Sequence, residues 1–177
     1  MSCLDKYTRP TRLLNEKKEN VFLQVRKSGL ECRSVCADQL CNHSLLENVD
    51  LFNKSLEELI NLFKKEKGFI FVIPFFEENK LNDKAELNAA LKRLSKYDNY
   101  LAKNGLHFSL EINLGAKLLK DEFRKFTLKN IGICYDLGNR IERGVDLDNE
   151  IILLKEYINH IHIKDNKDNL KIRVRKN

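Results

Sequence analysis

The hydrophobic residues of this chain follow two periods, one typical of amphipathic helices and one typical of β-strands. Residues 49–67 carry an apolar stripe at helical spacing, and Gly68 ends it. Residues 69–76 are apolar on both faces, as expected for a strand that is covered on both sides. A second helix begins at a capping box formed by Asp83 and Glu86 and continues as a stripe of leucines. This alternation of strand and helix predicts an α/β fold.

Five strand-like segments alternate with helical segments along most of the chain. The predicted strands cover residues 30–38, 69–76, 107–114, 131–139 and 160–165. The predicted helices between them cover about 49–67, 83–101, 116–126 and 149–157, and a loop is expected at 139–148. The spacing suits a repeated unit of one strand, one helix and two short loops, which builds a parallel sheet. In a parallel barrel the inner residues point at a shared centre, and the active site lies at the carboxyl ends of the strands.

The last three strand segments each carry one metal-binding residue on the face opposite their large apolar residues. Because side chains alternate along a strand, Glu111, Asp136 and His162 all fall on the polar inner face. They lie 25 and 26 residues apart, which is one strand-helix unit each time. Carboxylates and imidazoles are ligands for divalent cations. The spacing therefore predicts that the three side chains converge at one end of the sheet, where together they can bind a cation.

Composition narrows the class of protein. With 177 residues the chain is expected to form one domain, and 42% hydrophobic residues suffice for a core and argue against a disordered chain. No apolar run is long enough to span a bilayer, and the first residues lack the apolar centre of a signal peptide. These features predict a cytoplasmic protein with no membrane partner.

The cysteines stand at positions 3, 32, 36, 41 and 134, and their odd number argues against a disulfide framework. The spacing of Cys32, Cys36 and Cys41 is compatible with a thiolate zinc site, but no well-spaced fourth ligand accompanies them. We therefore interpret these cysteines as structural residues.

The net charge of +6 raises the question of an anionic partner. Much of the excess lies in lysines near residue 65 and in a basic tail at residues 167–177. A basic tail can bind phosphate backbones. Proteins that bind single strands, however, interleave aromatic residues with arginines, and this chain does not. The pattern favours a solvated surface and argues against a nucleic-acid partner.

Five short motifs stand in the predicted strands. They are residues 34–38 (SVCAD), 72–74 (VIP), 109–111 (SLE), 134–139 (CYDLGN) and 160–165 (HIHIKD). In their order along the chain, and in the strand face on which their polar residues fall, they resemble the sugar and sugar-phosphate isomerases and epimerases of the xylose isomerase-like TIM barrels. Within that family the resemblance is nearest to the L-ribulose/L-xylulose 5-phosphate 3-epimerase type. The resemblance covers roughly residues 28–166. It implies an incomplete (β/α)8 TIM barrel, whose strands correspond to about the third to seventh of eight. Residues 1–177 would then be a single partial domain, with a divergent N-terminal helix at 1–27.

The resemblance also implies a metal site. In that family one divalent cation is bound by Glu, Asp, His and a second Glu from four strands. Glu111, Asp136 and His162 match the first three by position, whereas the second Glu belongs on an eighth strand that we expect to be missing. Carboxylates favour Mn²⁺ or Mg²⁺, and the imidazole makes Zn²⁺ an alternative. We therefore expect one divalent cation as the cofactor.

The reaction that the resemblance implies moves a proton on the carbon next to a sugar carbonyl, through an enediolate. Glu111 is expected to be both a metal ligand and an acid/base catalyst. Lys164, Asn139 and Asp38 are expected to bind the substrate, a small sugar or sugar phosphate, and Lys164 is suited to a phosphate. Because the second Glu is expected to be missing, we expect this metal-dependent isomerase or epimerase to be weakly active or inactive as an isolated chain.

Structural roles remain open for several of these residues. Asp136 could cap the turn that follows it, His162 could be a hydrogen-bonded core histidine, and Asp38 could begin a loop or cap a turn. For the whole chain, the alternatives are a non-catalytic barrel remnant or binding subunit and, less favoured, an apurinic endonuclease-like hydrolase, since that class has a His near the position of Asn139. Unpaired strand edges also predict a homo-oligomer formed through the open barrel edges.

Overall fold

Five parallel strands form a single sheet that curls into a half-barrel, with helices between the strands. This computed structural model describes residues 25, 27–64 and 67–164. The strands are β1 (Ser34–Cys36), β2 (Phe69–Phe75), β3 (Leu106–Ile112), β4 (Ile131–Asp136) and β5 (Ile158–His162). Their order in the sheet is their order in the chain, and each neighbouring pair is parallel. The architecture is that of an incomplete (β/α)8 TIM barrel, which confirms the predicted fold class.

The connections between strands are helical. The α-helices are α1 (Val49–Phe63), α2 (Lys84–Leu94), α3 (Asp98–Asn104), α4 (Ala116–Phe123), α5 (Leu137–Glu142) and α6 (Leu147–Leu154). Short 3-10 helices cover Asp38–Asn42, Glu77–Asn79 and Ser95–Tyr97. The side chain of Asp83 accepts a hydrogen bond from the backbone N–H of Glu86 at 2.9 Å, so the predicted cap of α2 is present. Gly105 ends α3 in the left-handed conformation, with φ of 64°, which glycine adopts without strain.

The core lies between the outer face of the sheet and the helices. Phenylalanines make a continuous aromatic layer there: the rings of Phe63 and Phe69 stack at 4.5 Å, and Phe71 meets Phe63 at 5.5 Å and Phe108 at 6.1 Å in edge contacts. These side chains are almost fully buried. Because well-packed aromatic pairs tolerate little movement, this layer fixes β2 and β3 relative to each other and to α1.

The strand register sets which residues face each other at the carboxyl ends. Residues of β2 and β3 pair over their full length, so Glu111 lies opposite Pro74. In the β4–β5 pair Asp136 lies opposite His162. The carboxyl ends of β3, β4 and β5 therefore bring the three predicted ligand positions to one edge of the sheet.

A β-bulge at Asn159 makes this register possible. Ile133 pairs with Ile158 but Cys134 pairs with His160, so Asn159 is the extra residue. Its side-chain amide accepts a hydrogen bond from the Ser109 hydroxyl at 2.6 Å and donates one to the Phe108 carbonyl at 2.8 Å. Without the extra residue, Ile161 rather than His162 would lie beside Asp136. The bulge thus places His162 on the inner face of the sheet, beside Asp136.

Glycine at position 132 leaves the space that the bulge needs. A Cβ atom there would lie 2.5 Å from the Cγ atom of Asn159 and 2.7 Å from the backbone oxygen of Tyr157. Since the second of these atoms belongs to the backbone, a side chain at this position would force β5 away from β4.

The structure corrects several predicted boundaries. Strand β1 covers only Ser34–Cys36 instead of residues 30–38, and β5 begins two residues before the predicted start. The single helix predicted at 83–101 is interrupted by a 3-10 turn. The loop predicted at 139–148 was wrong in its first half, because α5 occupies Leu137–Glu142. A helix of six residues is too short to show a helical period in sequence.

Two predicted segments lie wholly or mostly outside the described residues. The divergent helix at residues 1–27 is described only at residues 25 and 27, and the basic tail at 167–177 is not described. Within the parts of the chain that are described, no helix is both long and apolar enough to cross a membrane.

Candidate functional site

Glu111, Asp136 and His162 meet at the carboxyl ends of three adjacent strands. The Nδ1 atom of His162 lies 3.3 Å from Oε2 of Glu111 and 3.9 Å from Oδ2 of Asp136. The two carboxylates are 8% and 5% exposed, so both charges are held largely away from water. A buried carboxylate requires a positive or hydrogen-bonding partner. The side chains that the sequence predicted to converge are therefore neighbours, and they share one small polar site.

Asn139 and Lys164 complete a hydrogen-bonded network around these residues. The side-chain amide of Asn139 donates to Oε1 of Glu111 at 3.1 Å and accepts from the ammonium of Lys164 at 2.7 Å. The same ammonium lies 3.1 Å from Oδ2 of Asp136. Five of the six predicted site residues thus belong to one network. Their roles toward a metal or a substrate remain predictions.

Asp136 has a structural role as well. Its Oδ1 atom accepts a hydrogen bond of 2.8 Å from the backbone N–H of Asn139 and caps α5, as one of the alternative interpretations stated. Gly138 then allows Lys164 to lie across the first turn of this helix, because a Cβ atom at Gly138 would be 2.5 Å from the Cγ atom of Lys164. The cap leaves the second oxygen of Asp136 directed at Lys164 and His162.

Asp38 lies just beyond the carboxyl end of β1, which is two strands away from β3 and Glu111. It is the first residue of the 3-10 helix Asp38–Asn42 that follows β1, and its carboxylate accepts a hydrogen bond from the thiol of Cys36. Among the described residues, no hydrogen bond connects Asp38 to the network around Glu111. Its assignment to substrate binding stays a prediction.

The titration of the two histidines differs because their neighbours differ. The hydrogen bond with Glu111 raises the pKa of His162, helped by the negative charge of Asp136 and opposed by partial burial. Burial lowers the pKa of His160, and the neighbouring His162 lowers it further. The site therefore favours positive charge, because the His162 ring and the Lys164 ammonium both lie beside the two carboxylates.

The donor set fits a divalent cation. Two carboxylates and one imidazole are a common combination of ligands, and for bonds of about 2.1 Å at right angles neighbouring ligand atoms lie about 3 Å apart. The separation of 3.3 Å from His162 to Glu111 is close to that value, whereas the 3.9 Å from His162 to Asp136 is longer, so Asp136 would have to move to share the ion. Coordination by Asp136 would require the Lys164 ammonium to move away from its Oδ2 atom.

Cys134 is a site residue that the sequence analysis missed. A donor atom from each of Glu111, Cys134 and His162 lies within 4.8 Å of the other two. Burial raises the pKa of the Cys134 thiol well above its usual range, and the carboxylates of Glu111 and Asp136 raise it further. Without a metal the thiol is therefore neutral at physiological pH. The sequence feature that could have identified Cys134 is its position two residues before Asp136, because this spacing places both side chains on the inner face of β4.

Arg140 is a second residue that the sequence did not single out. It is 3% exposed, and its guanidinium donates to the backbone oxygens of Leu114 at 2.7 Å and Ile112 at 3.2 Å. It also lies 3.7 Å from the carboxylate of Glu150, which accepts a hydrogen bond from the Tyr135 hydroxyl. Arg140 thereby ties the end of β3, which bears Glu111, to α5 and α6.

Comparison with known proteins supports the fold. No protein-family model and no curated protein matches the sequence. A solved structure that matches is the xylose isomerase domain protein from Planctomyces limnophilus, with a TM-score of 0.63 and 13% sequence identity. The match covers 83% of this chain and 58% of that protein, so the chain spans little more than half of its length. At this identity the likeness shows the fold alone, a partial TIM barrel like that of this solved structure.

Proposed function

We propose that this chain carries the site of a divalent-metal-dependent isomerase or epimerase that acts on a small sugar or sugar phosphate. The observation that carries the proposal is the meeting of Glu111, Asp136 and His162 at the carboxyl ends of adjacent strands. In parallel barrels this end bears the active site. The matching solved structure is that of a xylose isomerase domain protein, a name that points to the same chemistry.

The residues of the site would have different roles in a proton transfer. Glu111, Asp136 and His162 would hold the cation, which when bound stabilises negative charge that develops on the sugar oxygens. Glu111 would accept the proton from the carbon next to the carbonyl, because a carboxylate can take up a proton at that position. Asn139 orients Glu111 through the hydrogen bond to its Oε1 atom. With one oxygen held by Asn139, the other stays directed at His162 and the site.

Lys164 is the candidate for contact with an anionic substrate group. Its side chain is 45% exposed, whereas its ammonium is anchored on Asn139 and Asp136. A lysine at the rim of a site can meet a phosphate as a point charge. This arrangement supports a phosphorylated sugar as one member of the substrate class.

The proposal predicts solvent deuterium exchange. The purified chain, supplied with Mn²⁺, Mg²⁺ or Zn²⁺, is incubated in deuterium oxide with ketoses and ketose 5-phosphates, and proton NMR follows loss of the signal beside the carbonyl. Exchange requires proton removal alone and is therefore visible without net epimerisation. We expect exchange by the wild type and a loss of about 10²–10⁴-fold in the Glu111→Gln variant, since that is the usual contribution of a general base.

Matched variants make the result specific. Glu58→Gln changes an exposed glutamate of α1 and should leave the exchange rate unaltered. Lys164→Met should slow exchange of phosphorylated sugars more than exchange of the free sugars. Absence of exchange with every sugar and metal would refute the proposed function, and so would equal rates for the wild type and Glu111→Gln.

A further inference from the structure

Three donors of different chemistry converge at the site. The sulfur of Cys134, a carboxylate oxygen of Glu111 and a ring nitrogen of His162 all lie within 4.8 Å of one another. Around a tetrahedral zinc ion, with bonds of about 2.3 Å to sulfur and about 2.0–2.1 Å to nitrogen or oxygen, ligand atoms lie roughly 3.3–3.6 Å apart. The 3.3 Å between His162 Nδ1 and Glu111 Oε2 already has this value. A small adjustment of the three side chains would suffice to bind one ion.

Asp136 is less free to bind an ion than Cys134. One oxygen of Asp136 caps α5 and the other lies 3.1 Å from the ammonium of Lys164. Coordination through Asp136 would therefore break its ion pair with Lys164. The sulfur of Cys134, by contrast, lies within 4.8 Å of a donor atom of Glu111 and of His162, and in the described part of the chain it takes part in no ion pair or disulfide.

We propose that Glu111, Cys134 and His162 form a site for a thiophilic divalent cation, with Zn²⁺ as the preferred ion. One thiolate, one imidazole and one carboxylate are zinc ligands, and three protein ligands leave a fourth position for water or substrate. A soft sulfur donor favours Zn²⁺ or Co²⁺ over Mg²⁺ and Mn²⁺. On binding, the thiol transfers its proton to solvent and the thiolate coordinates the ion.

This assignment leaves Lys164 in place. Since Asp136 is not needed as a ligand, the ammonium can stay on Asp136 and Asn139, where it is available to an anionic substrate group. The inference rests on the proposed function in one respect only, the location of the cation between Glu111 and His162. It differs in the third ligand and in the ion that this ligand selects.

Cobalt substitution tests the third ligand directly. Coordination of Co²⁺ by a thiolate produces a sulfur-to-cobalt charge-transfer band in the near ultraviolet, which oxygen and nitrogen ligands do not produce. We expect this band in the Co²⁺-loaded wild type and its loss in Cys134→Ser. Cys41→Ser removes another buried thiol, which is outside the donor set, and should retain the band. Cys134→Ser should also weaken Zn²⁺ binding roughly a hundredfold or more, because loss of outer partners alone costs 10–100-fold.

X-ray absorption and metal binding by the Asp136→Asn variant distinguish this inference from the proposed function. X-ray absorption of the Zn²⁺-loaded wild type should show a sulfur neighbour at about 2.3 Å, a result that does not depend on the folding of any variant. If Co²⁺ binds without the charge-transfer band, and Asp136→Asn rather than Cys134→Ser weakens binding, this inference is overturned and the proposed function stands. If no divalent cation binds to the wild type, both are overturned.

Discussion

The buried guanidinium of Arg140 offers a sharp test of how the site is held together. Replacement by Met keeps most of the length and apolar volume of the side chain but removes its charge and its donors. The backbone oxygens of Ile112 and Leu114 then lose a hydrogen-bond donor, and the carboxylate of Glu150 loses its positively charged partner. Because this end of β3 follows directly on Glu111, the substitution disturbs both the stability of the fold and the position of a predicted ligand.

The expected cost follows from the burial of the pair. The side chains of Arg140 and Glu150 are 4% and 14% exposed, and removal of one partner from a buried ion pair costs about 3–5 kcal/mol. Glu150 keeps the hydrogen bond from Tyr135 and can turn partly to solvent, so the lower end of this range applies. A loss of about 3 kcal/mol is a large part of the 5–15 kcal/mol typical of a folded domain.

Urea unfolding followed by circular dichroism measures this loss. Arg143→Met is the matched control: it removes the neighbouring arginine of the same segment, which is exposed and makes one hydrogen bond to Asn113. It should cost less than about 1 kcal/mol. Adding Glu150→Gln to Arg140→Met should recover part of the loss, because the unpaired buried charge is then removed. Equal costs for Arg140→Met and Arg143→Met would refute the reasoning.

Three further predictions test the electrostatics, the core and a helix cap. In metal-free protein, His162 has a raised pKa because of Glu111, so its stabilising contribution is present below about pH 6.5 and is lost as the pH rises through the folded-state value. Wild type should therefore lose more stability than His162→Asn between pH 6 and pH 9 in urea titrations, and identical pH profiles would contradict this assignment. Phe71→Ala should cost about 3–5 kcal/mol of unfolding free energy because it empties a fully buried ring position, whereas a cost below 1 kcal/mol would show that the aromatic layer is not packed as described. Asp83→Ala should cost about 1 kcal/mol by removing the hydrogen bond to Glu86, and Asp83→Asn should restore most of it.

The sequence was sufficient for the order of strands and for the faces of Glu111, Asp136 and His162. Alternation of apolar and polar residues is a local property of a strand, so the inward direction of these side chains could be read from neighbours one and two positions away. The parallel pairing and the interval between strands then placed their ends together. The cap formed by Asp136 was also a local pattern and was among the stated alternatives.

The remaining features depend on contacts between distant residues. The bulge at Asn159 exists because its amide binds Ser109 and the backbone of Phe108, which are about fifty residues earlier in the chain. The role of Arg140 depends on the backbone oxygens of Ile112, the last residue of β3, and of Leu114 in the loop that follows. Cys134 begins the motif at residues 134–139, but it becomes a candidate ligand only because two neighbouring strands bring Glu111 and His162 beside it. Pattern reasoning cannot locate such contacts.

Titration calorimetry with a divalent cation tests the central claim most directly: Glu111 and His162, together with a third residue of β4, bind one ion. The experiment adds Zn²⁺ and, separately, Mn²⁺ to metal-free wild type and to the isosteric Glu111→Gln variant. The account predicts one ion per chain for the wild type and an affinity reduced by roughly a hundredfold or more in the variant. No binding by the folded wild type, or equal affinity in both proteins, would contradict it.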